Sequence, residues 1–287
     1  MNSHKSTLAP GLYFVATPIG TARDITLRAL DILSSAEVIA AEDTRSLRKL
    51  MEIHGIALNG RRIVAYHDHS GAAVRERLIA AVADGQSVAY ASEAGMPLVA
   101  DPGFELGRAM AQAGLPVTVA PGASAVLAAL AISGLPSDAF FFAGFLPSAS
   151  SARRARLEAL RDIPGTLIFF ESPRRVAAMI VEAQVVLGGS RQAAICREIT
   201  KKFEEVRRGT LDELAAGLEG ASLKGEVVVL IARGDSEKIS DSDLETDLKA
   251  ALGSMSMKDA ADAVSKAHDL PRRKVYQLAL KLGKDRL

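Results

Sequence analysis

The strongest constraint on this chain is a recurring unit: a short apolar run, a turn rich in Gly and Pro, then a stretch with helical spacing. Residues 12–16 read as a buried strand, stopped by Thr17-Pro18-Ile19-Gly20. Thr26 can cap a helix that carries Leu27, Leu30 and Leu33 on one face. Residues 38–41 form the next apolar run, and Asp43 or Thr44 can cap the helix after it. Short strands follow at 63–65, 88–90 and 117–119, with helical stretches near 72–84, 104–113 and 124–132. This alternation predicts an α/β fold with a mostly parallel sheet covered by helices. Ligands of such sheets sit beyond the carboxyl ends of the strands.

The alternation pauses over 133–138, where we place a domain boundary. A second set of apolar runs follows at 140–143, 166–170, 193–196 and 227–231, separated by helical stretches near 151–162, 173–187 and 210–218. Residues 236–242 read as a polar linker, and everything from 243 on is helical in pattern. The expected domains are therefore 1–135 (α/β), 136–235 (a smaller α+β domain) and 243–287 (a helix-turn-helix-like tail).

Composition excludes several classes. Cys196 is the only cysteine, so a disulfide scaffold and a multi-cysteine zinc site are ruled out. No apolar run reaches the roughly 18 residues that a membrane span needs. The first residues lack the apolar core of a signal peptide, so the expectation is a soluble cytoplasmic protein with no membrane partner. Across 287 residues, 35 Lys+Arg balance 34 Asp+Glu, so a polyanionic partner must be argued from local patches. Two exist. Residues 145–210 hold twelve Lys+Arg against seven Asp+Glu, and residues 269–287 hold six against two. The second includes Arg272, Arg273 and Lys274, on a helix start suited to nucleic acid or to a plain solvated face.

Four loops carry the chemistry-bearing signal: residues 17–20, 92–97, 101–103 and 121–125. Each lies at or just beyond a strand end, and Gly lets the backbone approach a ligand closely. The dinucleotide and phosphate-loop fingerprints are absent, as is a Gly-x-Ser-x-Gly nucleophile elbow. Polar clusters close other strands: Glu42-Asp43-Thr44-Arg45, Glu171-Ser172-Pro173-Arg174-Arg175, and the charge run from Arg197 through Glu205. Arginines at a helix start oppose its dipole, which leaves Arg174 and Arg175 without an obvious structural motive. His67 and His69 would share a strand face, but no third metal ligand is evident and no metal is expected. Cys196 reads as core, and so does the Phe140-Phe141-Phe142 run, although one of its rings must face outward on a strand.

The ordered set of these motifs resembles one family. Residues 12–20, 24–30 and 41–45 resemble the start of the ribosomal RNA small subunit methyltransferase I family. The likeness continues through Ala94-Gly95, Asp101-Pro102-Gly103, Pro121-Gly122, residues 133–136, residues 144–147, residues 170–173, and Arg197-Glu198 with Thr200-Lys201. Lys258-Asp259-Ala260-Ala261 and residues 275–280 resemble its C-terminal helical domain. The resemblance implies a two-domain class III, tetrapyrrole-methylase-like methyltransferase fold with a small C-terminal helical domain. It implies S-adenosylmethionine in the cleft between the α/β domains, no metal, and a homodimer. It implies 2′-O-methylation of a decoding-centre cytidine of 16S rRNA, within the small ribosomal subunit. Carried over by position, the cofactor pocket involves Pro18, Met96, Val99, Ser124, Ala125 and Phe170, and Glu42 and Asp101 fall on the substrate side. A ribose hydroxyl needs help to lose its proton, and the expected acceptor is Asp101 or Glu42. Arg45, Glu171, Arg174, Arg175, Glu198 and Lys201, with the tail cations Arg272, Arg273 and Lys274, fall on the RNA side.

Several positions depart from the family pattern. Glu93 and Met96 replace Asp and Thr, Ala123 replaces Pro, Thr21 replaces Asn, and Arg174 replaces His. A lysine expected soon after Pro147 is missing, and Arg153, Arg154 and Arg156 follow instead. Two other readings compete: a small-molecule methyltransferase acting on a tetrapyrrole, and a non-catalytic ribosome assembly factor.

Overall fold

The computed structural model describes residues 4–67, 70–100, 102–220, 223–234, 241–268 and 270–284. The chain divides into two compact units, Met1–Arg233 and Gly234–Leu287.

The first unit opens with five strands and five α-helices in alternation. They are β1 (Gly11–Val15), α1 (Leu27–Ser35), β2 (Val38–Ala41), α2 (Thr44–Ile53), β3 (Ile63–Ala65), α3 (Ala72–Ala83), β4 (Ser87–Ala91), α4 (Phe104–Gln112), β5 (Val117–Ala120) and α5 (Ala125–Ser133). The sheet order is β3-β2-β4-β1-β5 and every pair is parallel. A helical crossover between strands is what a parallel pair requires. Cores fill both faces: Leu30, Leu33, Leu47 and Met51 of α1 and α2 on one, and Leu78, Val82, Leu106 and Met110 of α3 and α4 on the other. The caps fall where expected. Thr26 Oγ1 accepts from Ala29 N–H, and the Asp43 carboxylate accepts from the N–H groups of Arg45 and Ser46.

The second half is built differently. Its elements are β6 (Phe140–Phe145), α6 (Ser150–Ala159), β7 (Thr166–Glu171), α7 (Val176–Leu187), β8 (Gln192–Arg197), β9 (Glu205–Thr210), α8 (Leu211–Gly217) and β10 (Val227–Ile231). The order is β6-β7-β10-β8-β9, and only β6 and β7 run parallel. One face packs on α6, α7 and α8. The other meets α5: Val126, Ala129 and Leu130 join Ile168, Ala194, Cys196, Val228 and Leu230 in one buried cluster that also takes Ile19. The boundary near 136 is thus bridged by a dry core. Cys196 is part of it, and burial pushes its thiol up to about 11.

Two expectations are corrected here. A strand that the sequence reading left out begins where the charge run ends: β9 reads Glu-Val-Arg-Arg-Gly-Thr, an edge strand that pairs with β8 alone. Edge strands tolerate charged residues, which discourage pairing with other chains. In the phenylalanine run two rings, not one, are exposed. Phe140 is 44% exposed and Phe141 37%, because β6 is the opposite edge, while Phe142 packs on Phe170 at 4.9 Å.

The second unit is three helices: α9 (Asp241–Leu252), α10 (Met257–Ala267) and α11 (Arg272–Lys284). Leu244, Leu248, Ala260, Ala261, Val264, Val275 and Ala279 form its own core. Most of the linker expected at 236–242 lies outside the described residues, and α9 begins inside that span at Asp241. No helix among the described residues is long and apolar enough to cross a membrane.

Candidate functional site

Parallel topology brings the ends of β1, β2, β4 and β5 to one edge of the first sheet. There the loops after β1 and β4 are laced together. Thr17 and Gly95 exchange backbone hydrogen bonds of 3.0 Å in both directions, and the Ser92 hydroxyl donates to Gly95 O at 2.6 Å. Gly95 sits at φ +83°, a conformation that costs glycine nothing. The second sheet supplies the facing wall. The ends of β7 and β8 and the start of β10 are in register, with Val227 opposite Glu171 and Arg197. The two halves touch closely at this edge. A Cβ on Gly20 would lie 2.4 Å from Thr200 Oγ1 and 2.9 Å from Ile199 O, and Thr21 N–H donates to Thr200 Oγ1.

Four non-glycine residues with positive φ gather here: Leu98 (72°), Ala100 (58°), Glu198 (51°) and Thr200 (64°). Such conformations cost about 1–3 kcal/mol each and tend to cluster at ligand sites. Between the walls lies a cavity of about 410 Å³. That volume is in the range of pockets for drug-sized ligands. Five of the six residues expected to hold the cofactor line it: Met96, Val99, Ser124, Ala125 and Phe170. Pro18 lines a neighbouring cavity instead. Ile19, from the loop at 17–20, lines it too, whereas sequence reasoning missed Phe145, Ile199, Gly225, Glu226 and Val228, which also line it. Gly225 had a readable signal only in hindsight: at φ +88°, its missing Cβ makes room for the Glu198 carboxylate.

The polar groups divide into those already engaged and those left open. Ser124 caps α5 through its hydroxyl. Glu171 has a fully buried side chain whose oxygens accept from Ser172 N–H and the Arg175 guanidinium. Arg175 also donates to the carbonyls of Leu146 and Pro147, so it does have the structural role that its position at a helix start concealed. Lys201 bridges Glu198 at 3.0 Å and Glu226 at 2.8 Å. The N–H of Glu226 and then Lys201 hold the Glu198 carboxyl below its ordinary value. Arg153 is buried in a pair with Glu182 at 2.6 Å, so it cannot replace a surface lysine. Arg45 is the opposite case, with its side chain 92% exposed and only a 3.5 Å contact to Asp43. Arg174, Arg273 and Lys274 are also exposed, while Arg272 pairs with Asp262.

Glu42 accepts from Glu93 N–H at 3.0 Å and so ties β2 to the β4 loop. Burial, and then the charges of Glu42, Asp43 and Glu226, raise the Glu93 carboxyl above its ordinary value. Asp101 and His69 lie outside the described residues. The strand expected to carry the two histidines ends at Ala65, before His67. Among the described residues, no group of three or more His, Cys, Asp or Glu is placed to hold a metal.

The cavity's chemistry suits a ligand with an apolar aromatic part and positive charge. Ile19, Val99, Phe145, Phe170 and Val228 offer apolar surface, and the ionisable lining groups are the carboxylates of Glu93, Glu171 and Glu226. Rings and carboxylates attract cations and repel polyphosphate.

Residues 11–215 match the family of tetrapyrrole (corrin/porphyrin) methylases, the class that this paired-sheet fold defines. Residues 239–283 match the RsmI C-terminal HTH domain. The solved uroporphyrin-III C-methyltransferase of Thermus thermophilus, complexed with S-adenyl homocysteine, shares the fold at TM-score 0.53. It is 20% identical, with 77% of this chain and 97% of that one covered. The ribosomal RNA small subunit methyltransferase I of Mesorhizobium japonicum is 47% identical over 96% of this chain and 93% of its own. Its namesake from Halalkalibacterium halodurans is 40% identical, with 93% of each chain covered. The chain belongs to the ribosomal RNA small subunit methyltransferase I family, within the tetrapyrrole methylases.

Proposed function

We propose that this protein transfers the methyl group of S-adenosylmethionine to the 2′-hydroxyl of a decoding-centre cytidine in 16S rRNA, releasing S-adenosylhomocysteine. The observation that carries this reading is the 47% identity, along nearly the whole chain, to a relative named for small-subunit ribosomal RNA. The match of residues 239–283 to a helix-turn-helix domain favours an RNA acceptor over a tetrapyrrole. The pocket argues against a non-catalytic assembly factor, which has no use for it. We take 1–135 and 136–235 as the two catalytic halves and 243–287 as an RNA-binding tail, in a cytoplasmic homodimer that acts on the small ribosomal subunit.

When bound, the cofactor's sulfonium supplies an electrophilic methyl group. Met96, Val99, Ala125 and Phe170 hold the ligand by apolar contact and exclude water, and Ser124 fixes the start of α5 beneath it. Pro18 stiffens the β1 loop between the two cavities. The chain must bring the ribose oxygen to about 3 Å from the methyl carbon, so positioning does much of the work. A carboxylate then accepts the hydroxyl proton, with Asp101 and Glu42 assigned that task. Glu42 spends one oxygen on Glu93 N–H and keeps the other for the proton. Arg45 and Arg174 in the first unit, and Arg273 and Lys274 in the second, offer exposed cations to phosphates, and Arg272 stands next to the latter two at the start of α11. Glu171, Arg175, Glu198 and Lys201 act differently: their mutual ion pairs hold the strand ends in shape.

The test is methyl transfer from labelled S-adenosylmethionine to unmethylated small subunits and, in parallel, to naked 16S rRNA, with the modified nucleotide mapped. A 2′-O-methylated cytidine is the expected product. Intact cofactor binding with no transfer to either RNA overturns the reading.

A further inference from the structure

A second cavity of about 580 Å³ adjoins the first and shares Glu93 with it. Its lining has three kinds of surface. Pro18, Leu50 and Ile53 are apolar, and Ile53 is 55% exposed with no core to join. Arg45 and Lys49, one turn apart on α2, supply positive charge. Asp43 and Glu93 supply carboxylates. Two carboxylates oppose an acceptor that carries several of its own, and they oppose a phosphate seated in the interior. The lining fits a flat, neutral ring bearing an amine, with phosphates kept at the cationic rim. A nucleobase displaced from its stack is read in this way, by apolar contact on its faces and hydrogen bonds on its edge. Carboxylates accept from the N4 amine of cytosine, whereas uracil presents a carbonyl there.

Of the two carboxylates, Asp43 is already committed. One oxygen caps α2 and the other contacts Arg45. The Glu93 backbone N–H is held by Glu42, which fixes its place on the wall between the cavities and leaves its side chain to face a ligand. Resting on the RNA reading above, we propose that the second cavity seats the target base. In this assignment Glu93 selects cytosine through its exocyclic amine, and Arg45 and Lys49 hold the flanking phosphates. The ribose then lies at the rim shared with the first cavity, where its hydroxyl meets the methyl donor.

The experiment uses the full-length protein and unmethylated small subunits whose target position is either cytidine or uridine. Wild type is expected to prefer cytidine by about ten- to a hundredfold in kcat/KM, the discrimination that one well-placed base contact gives. Glu93→Gln should bring that ratio near unity, because an amide also donates to the uracil carbonyl. Glu93→Asp should retain a preference. Lys49→Ala should raise KM several-fold, leave kcat and cofactor affinity unchanged, and reduce the salt slope of binding by about one. A cytidine preference that persists in Glu93→Gln, or a Lys49→Ala variant with unaltered KM and salt slope, overturns the assignment alone. Failure of wild type to methylate either RNA overturns the underlying reading with it.

Discussion

The two halves of the first unit meet at one cavity but treat their charges in opposite ways. The parallel half sends loops from four strand ends to a single edge and leaves Arg45, Lys49 and Glu93 pointing at open volume. The mixed half neutralises its charges internally. Arg153 pairs with Glu182, Arg197 and Arg207 share Glu205, Lys201 bridges Glu198 and Glu226, and Arg208 donates to the last carbonyls of α5. In a stretch with a formal excess of five positive charges, these cations are taken up by partners, while Arg154, Arg156, Arg174 and Lys202 stay exposed. Net charge counted along a sequence is a poor guide to a binding surface when the cations already have partners.

That contrast can be broken. The largest expected effect is at Glu182→Ala, which strands the buried Arg153 guanidinium. Loss of about 3–5 kcal/mol in denaturant unfolding is expected, whereas Arg45→Ala, removing the exposed cation, should cost under about 0.5 kcal/mol. Equal losses would erase the distinction between the halves. Next comes Gly20→Ala, whose new Cβ would press on Thr200 and on the Ile199 carbonyl. About 1–3 kcal/mol is expected from overpacking, together with weaker S-adenosylmethionine binding by calorimetry, because the loop braces the cavity from both halves.

Caps sharpen the comparison at a smaller scale. Thr210 and Glu213 form a capping box at α8, away from the cavity, while Ser124 caps α5 beside it. Each change to Ala should cost about 1 kcal/mol. Only Ser124→Ala should also lower cofactor affinity, and an equal loss of affinity in Thr210→Ala would contradict the placement of the site.

The smallest effect is a difference in sign. Glu198 titrates below its ordinary value of 4.5, so its stabilising contribution is present above that pH and fades as the pH falls through the folded value. Glu93 titrates above 4.5, so its contribution is present below that pH and is lost as the pH rises through the folded value. Melting temperatures between pH 3.5 and 7 should show Glu198→Gln losing stability mainly at the upper end. Glu93→Gln should be neutral or raised there, by no more than about 2 °C. Shifts of the same sign would contradict the electrostatic contrast drawn here.

Much of this was legible in the sequence. The strands of the parallel half read clearly because each is buried on both faces and so is apolar throughout, as in the five buried residues of β4. The helix starts read clearly because Thr26 and Asp43 are capping residues, and a cap acts within three residues of itself. The Gly- and Pro-rich loops marked the sheet edge where the cavity lies, since close backbone approach needs those residues locally.

Tertiary structure alone decided the rest. β9 escaped notice because an edge strand needs no apolar pattern, only a partner, and its register partners on β8 lie from eight residues away (Arg197 with Glu205) to eighteen (Gln192 with Thr210). Phe140 and Phe141 are exposed because their strand lies at the sheet's border, a fact of strand order and not of side-chain chemistry. Whether Arg175, Lys201 or Arg153 could meet RNA depended on carboxylates four, three and 29 positions away, and on which face each presented. Sequence fixes what is determined by the neighbouring few residues: strand, helix, cap and turn. The use made of a charge is set by whatever the fold places within about 4 Å of it, and that distance carries no signature along the chain.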